Sequence, residues 1–205
     1  MLKIYLSSSL IKYLCCFLCL LSISHLSYAQ LNGDLQKRLI QMAQQSTQLK
    51  LQKRATNKDS NAKVLQQLQT DIVKVHTLTL QEIVSLHGWP SKSLVGKSGV
   101  NAATVIVQHA EDVAFQQDML PLIIKSYLDN QGVSGTNVAI TTDIIAINQG
   151  NKQVFGTQFE IINNKVSFKP IDNIQTVDDL RAELDLKPLL DFKQQIADQY
   201  IYKNK

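Results

Sequence analysis

Hydrophobic positions recur every three to four residues through much of this chain. Across residues 31–54, Leu35, Leu39, Met42 and Leu49 approximate one apolar stripe, with Asp34 placed to cap its start. Residues 62–86 repeat the pattern with Val64, Leu68, Ile72, Val75, Thr79 and Ile83. The polar stretch 55–61 between them reads as a turn, so two helices in a hairpin are predicted. A Gln-rich, low-complexity tail is the alternative for the first, but its leucine spacing is too regular to favour that. Gly88 and Pro90 end the second helix, because proline lacks the N–H that would continue it and restricts the residue before it. A loop over 89–99 follows. A helix is then predicted over 100–113, with Ala103, Val107, Ala110 and Ala114 on one face, and another over 118–128 with Pro121 in its first turn. Residues 136–147 are apolar and β-branched, and their period does not separate helix from strand.

The pattern changes after residue 152. Residues 153–162 and 165–171 alternate apolar and polar side chains around Asn163-Asn164, a pair that tolerates the positive φ of a tight turn. One β-hairpin is predicted there, with Phe155-Gly156-Thr157-Gln158-Phe159 inside its first strand. Helices over 174–185, with Thr176 as a candidate cap, and over 189–202 complete the chain. No repeat of 20–50 residues is visible. The fold class is α+β, mostly α: a helical domain with one β-hairpin near residues 153–171. The organisation is a leader over 1–29, a helix and turn over 30–61, and a single globular domain over 62–205.

The leader follows from composition. Lys3 and Lys12 precede or flank an apolar run over 13–21, and Ser27-Tyr28-Ala29 offers small residues at both positions that a signal peptidase reads. Cleavage before Gln30 is expected, giving an exported protein, periplasmic or extracellular. An uncleaved anchor is the alternative, but the run is short for a span of about 20 residues. A lipidated cysteine is disfavoured because the small-residue pattern that precedes one is missing. All three cysteines, Cys15, Cys16 and Cys19, lie in the leader. The mature chain would carry no disulfide, no thiolate metal site and no cysteine nucleophile, so the domain must rest on its core. The whole chain is +4, and loss of the leader's two lysines would bring it near +2. Its basic residues are dispersed, with only a mild cluster at Lys50, Lys53 and Arg54, which argues against a nucleic-acid partner.

Three short signatures exceed what fold economy explains. The first is His87-Gly88-Trp89-Pro90 running into Ser93-Leu94-Val95-Gly96. Trp89 is either a plug over a helix end or the aromatic wall of a pocket. His87 is either a helix-terminal histidine favoured by the dipole or an acid/base group. The second is Gln108-His109-Ala110-Glu111-Asp112. His109 sits among apolar neighbours. It is either a structural histidine or a site histidine oriented by Asp112, a pairing that also supports metal ligands. The third is Phe155-Gly156-Thr157-Gln158, where a strand-interior glycine marks close approach and Gln158 could face a cleft with His109. No metal-helix motif occurs, and His76, His87 and His109 would have to converge from separate segments, so no metal and no cofactor are expected. Ser91-Lys92-Ser93-Leu94-Val95-Gly96-Lys97-Ser98 imitates a P-loop but has serine for its first glycine and follows a proline rather than a strand. The glycines at 96 and 99 could still present N–H groups at a helix start. No nucleophile elbow is present.

Together these residues resemble a bacterial family, domain-of-unknown-function family 6624. Its members show an HGWP-x-x-SLVG stretch, a QHA-(D/E) helix, an F-x-x-x-x-LPL segment, a (Y/F)GTQ strand, a PI-x-D stretch and a final helix after PL. The matching residues here are those of the three signatures, with Phe115, Leu120-Pro121-Leu122, Pro170-Ile171-Asp172 and Pro188-Leu189, in order over about residues 82–192. The resemblance implies a shared fold and cleft, tilts 136–147 toward helix, and implies no reaction. The chain departs from the family pattern twice. An Asp-Arg pair is common where Asp143 is followed here by Ile144, and an Asp-Gln pair with an arginine is common in the first helix, where Ser46-Thr47-Gln48 stands. If those charges belong to a family site, this chain lacks part of it.

Three functions fit. The first is a ligand-binding or interaction domain whose polar cleft is lined by His87, Trp89, Gln108, His109 and Gln158, for a small polar ligand. The second is a small hydrolase-like enzyme with His109 as base, oriented by Asp112, His87 as acid or oxyanion stabiliser, and Gln158 positioning substrate. The third is an envelope-associated protein that meets a partner protein through its N-terminal helices. No membrane span is expected after leader cleavage.

Overall fold

A computed structural model describes residues 31–55 and 62–202 of the chain. The leader, its cysteines and the polar turn at 56–61 lie outside the described residues. Helix α1 spans Gly33–Ala55 and α2 spans Ala62–His87, close to the stripes read from the sequence. Helix α3 spans Lys92–His109, α4 Val113–Leu128 and α5 Gly135–Asn148. Strands β1 (Phe159–Ile162) and β2 (Lys165–Phe168) form one antiparallel hairpin, with Phe159 opposite Phe168 and Ile162 opposite Lys165. Helices α6 (Val177–Glu183) and α7 (Leu189–Ala197) follow, and a π-helical turn over Asp198–Tyr202 ends the described chain. The protein is therefore α+β and mostly α. No described helix is long and apolar enough to cross a membrane.

One core joins the helices. Leu39, Met42 and Ala43 of α1 are buried with Leu80 and Ile83 of α2, Val95, Val100, Ile106 and Val107 of α3, Phe115 and Ile123 of α4, and Val138 of α5. Helix α1 packs chiefly on α3. The segment set apart as 30–61 in the sequence thus supplies core side chains to the same body as the rest.

Four local expectations change. The loop expected over 89–99 is mostly helix, because the Ser91 hydroxyl accepts the Leu94 N–H and starts α3 at Lys92. Gly96 then kinks the helix at φ 65°, ψ 168°, a conformation glycine adopts without a Cβ penalty. The helix expected over 100–113 stops at His109, since the Asp112 carboxylate accepts the Phe115 N–H and caps α4 instead. Helix α4 consequently starts at Val113, and Pro121 falls in its interior rather than its first turn. The last helix gives way to the π-helical turn after Ala197.

The fourth change concerns the predicted first strand. Residues 153–158 are not strand: only an isolated parallel bridge pairs Gln153 with Ile171, and β1 begins at Phe159. Their backbone groups are satisfied by side chains instead. The Asp143 carboxylate, wholly buried on α5, accepts the N–H groups of Val154 (2.7 Å) and Phe155 (2.9 Å) on Oδ1. Its Oδ2 accepts the N–H and the hydroxyl of Thr157, each at 2.8 Å. The buried Gln153 amide pairs with the Gln158 backbone as a neighbouring strand would, accepting its N–H and donating to its carbonyl, and donates a second bond to the Lys169 carbonyl. Gly156 completes the loop at φ 68°, where an added Cβ would lie 2.7 Å from Leu189 Cδ1 and 3.0 Å from Ile171 Cδ1.

Candidate functional site

The end of α3, the C-terminal half of α5, the loop after it and facing residues of α1 and α2 border a cleft of about 510 Å³. Gln108, His109 and Gln158 all line it, together with Glu111 and Lys169. Three of the side chains singled out from the sequence are therefore brought together by the fold.

His87 and Trp89 do not line this cleft. Helix α3 separates them from it: they precede its start and His109 ends it, and the 13 residues from Lys97 to His109 after the Gly96 kink alone span roughly 20 Å. His87 is exposed at the end of α2. Trp89 is partly buried against the core, and its indole N–H is buried with no hydrogen-bond partner among the described residues. That position fits a plug over a helix end. Asp112 does not line the cleft, and its carboxylate is the helix cap already described.

The two glutamines have defined orientations. The Thr141 hydroxyl donates to the Asn137 carbonyl at 2.7 Å, which spends its single proton. It must accept from its neighbour Gln108 at 3.1 Å, so the Gln108 atom facing it is Nε2. The Thr157 hydroxyl donates to Asp143 Oδ2 and by the same logic accepts from Gln158 Nε2 at 3.0 Å. Both amide nitrogens are thus turned toward the protein. Both carbonyl oxygens remain as acceptors on side chains that line the cleft.

Behind the wall, Ser46 of α1 and His76 of α2 are both buried, and Ser46 Oγ lies 2.8 Å from His76 Nδ1. Burial pushes the His76 pKa down, favouring the neutral ring. Ser46 also lines the cleft. Gln116 braces the floor. It is wholly buried, donates to the carbonyls of Val107 and Ala110, and accepts from Asn148. No group of three His, Cys, Asp or Glu side chains among the described residues is placed to hold a metal ion.

A family model described as a family of unknown function, DUF6624, matches residues 33–205. The chain belongs to this family. Neither a curated protein nor a solved structure gives a match. Ser46 and Ile144, at the two places where the sequence departs from the pattern the resemblance implies, both line the cleft. The sequence raises Ser46 and His76 separately but not the bond between them, and it does not single out Gln116 or Gln153. A polar residue at a position where the pattern calls for an apolar one is the available signal for a buried hydrogen-bonding role.

Proposed function

We propose that this DUF6624 protein binds a small polar ligand in the cleft lined by Gln108, His109 and Gln158. The observation that carries this reading is the pair of cleft-lining glutamines whose Nε2 atoms are held by Thr141 and Thr157, leaving both carbonyl oxygens as acceptors. Two acceptors fixed by buried partners, with Glu111 near them, favour a ligand rich in hydroxyl or amide donors, such as a polyol. An acid/base reaction is less well supported, because His87 lies outside the cleft and Asp112 caps a helix.

Calorimetric titration with a panel of sugars, polyols and small amides tests this. Loss of one acceptor in Gln158→Leu should weaken binding roughly tenfold, the value of one hydrogen bond of about 1.4 kcal/mol. The reading fails if nothing in the panel binds, or if Gln158→Leu and Gln108→Leu bind as the parent does. We also propose export, supported by the leader pattern and by a family match that begins at residue 33. Mass spectrometry of the secreted or periplasmic protein should find Gln30 at its N-terminus.

A second reading rests on α2. Val64, Leu68, Val75, Leu78 and Leu86 share one face, and each is more than half exposed. Apolar patches beyond a few hundred Å² mark contact surfaces, so this face suits an envelope partner protein. Deleting residues 30–60 is no test, since Leu39, Met42 and Ala43 belong to the core. The joint change Leu68→Gln, Val75→Gln should instead abolish complementation of a deletion strain while the Gln158 variant complements; complementation by the joint variant would sink the reading.

A further inference from the structure

A second cleft, of about 410 Å³, opens on the far side of the 153–158 loop, between the start of α5, β1 and α7. Ile140, Phe159, Phe192, Ile196 and Tyr200 give it an apolar and aromatic wall, beside the polar Gln158, Gln195 and Gln199. The Phe159 ring meets Phe192 edge-on at 6.3 Å and Tyr200 at 6.2 Å. Arg181 also lines this cleft although the residue is 97% buried, being only 3% exposed.

The chemistry of Arg181 is unusual for its burial. Its Nε donates to the Lys187 carbonyl at 2.7 Å and its Nη1 to the Phe155 carbonyl at 2.6 Å. Phe192 covers one face of the guanidinium, 5.0 Å from its ring centroid. No carboxylate among the described residues forms an ion pair with it: Asp178 and Asp143 act on it only through space. Nη2 donates no hydrogen bond among the described residues. At the rim, Asp185 and Lys187 oppose each other in charge. A buried cation with neutral acceptors, an aromatic face and open N–H groups is costly by itself and is relieved when an anion arrives.

We propose that this cleft is a second ligand site, which takes a small organic monocarboxylate with an apolar or aromatic body. The carboxylate accepts from Arg181 Nη2, edge-on because Phe192 occupies the face. The body lies against Phe159 and Phe192. The two carbonyl bonds of Arg181 hold its head in place, so binding orders little that is not already ordered. This site differs from the polar cleft in chemistry, one recognising donors and the other an anion, although Gln158 lines both.

The test is titration with phenylacetate and with its neutral isostere phenylacetamide, followed by amide chemical shifts. Phenylacetate should bind at least about tenfold more tightly than the amide, and perturb residues of α7 and β1. Arg181→Gln should remove that preference. Because that variant also loses two structural bonds, Thr136→Trp is the second arm. Thr136 is an exposed residue lining the cleft, and a tryptophan there fills the space while leaving Arg181 and its carbonyl partners in place. It should lower phenylacetate affinity at least tenfold. Gln108→Leu, which tests the polar cleft, should leave phenylacetate affinity unchanged. Equal binding of acid and amide, undiminished binding in Thr136→Trp, or no binding of phenylacetate at about 10 mM would each overturn the proposal.

Discussion

The Asp143 carboxylate accepts both the backbone N–H and the hydroxyl of Thr157, at 2.8 Å each. With Val154 and Phe155 it collects four hydrogen bonds in a fully buried position. It is the reason that the Phe155-Gly156-Thr157-Gln158 signature has its shape.

Asp143→Asn should therefore be strongly destabilising. One of the two acceptor oxygens becomes an NH₂ group, facing donors it cannot pair with. The cost of stranding buried donors and removing a hydrogen-bonded charge is about 3–5 kcal/mol. Thr157→Val loses the hydroxyl's donation to Asp143 and its acceptance from Gln158, and should cost about 1–3 kcal/mol. Urea unfolding of the three proteins checks both the size and the order; an Asn variant as stable as the parent would remove Asp143 from this role.

Gly156→Ala should destabilise for two separable reasons. Its φ of 68° disfavours any Cβ, and the new methyl would meet Leu189 and Ile171. A loss of about 1–3 kcal/mol is expected. Adding Leu189→Ala relieves the contact but not the backbone strain, so the double variant should recover only part of what Gly156→Ala costs relative to Leu189→Ala alone. Full recovery in that thermodynamic cycle would mean that the conformation itself is not strained.

Stability should fall as pH is lowered through the range below His76's ordinary value of 6.5. The folded protein holds this ring neutral, so the unfolded chain binds the proton more readily. Stability is then complete above about pH 6.5 and is lost as pH falls through the depressed folded-state value. His76→Gln should flatten that part of the curve in thermal melts between about pH 7 and pH 5. A parent curve already flat there would contradict the burial of a neutral imidazole beside Ser46.

The sequence exposed more of the fold than of the site. Helices α1 and α2 were legible from the three-to-four-residue spacing of their apolar positions, although Val64, Leu68 and Val75 of the α2 stripe are exposed and Leu80 and Ile83 face the core. Asn163 and Asn164 marked the hairpin turn, and both adopt positive φ, 50° and 56°. The hairpin itself is shorter than its alternating pattern suggests, since residues 153–158 take their partners from Asp143 and the Gln153 amide. Such pairing by a side chain from another element leaves no period in the sequence. Residues 136–147 were ambiguous for a different reason. Val138, Ala139, Thr141, Asp143 and Ile145 are all buried, so α5 lacks the polar face that would reveal its pitch.

At the site, the sequence set Gln158 toward a cleft with His109 from the alternation of a strand; residues 153–158 are not strand, yet Gln108, His109 and Gln158 all line one cleft. The His87-Gly88-Trp89-Pro90 signature was grouped with the same cleft, but it precedes α3 while Gln108 and His109 end it, so the helix holds the two signatures at opposite ends. Arg181 was invisible as a site residue, because a single arginine in a short polar helix carries no pattern.

The loop at 153–158 has one more consequence, for the order in which the molecule assembles. The amides of Val154, Phe155 and Thr157 have no strand neighbour to protect them; their acceptor is a carboxylate on α5. They become shielded from solvent only when α5 is docked, and are released only when it leaves. In hydrogen exchange, these irregular-loop amides should open with the interior helices rather than with the exposed hairpin tip. The hairpin's base then reports on global unfolding, while its turn frays freely.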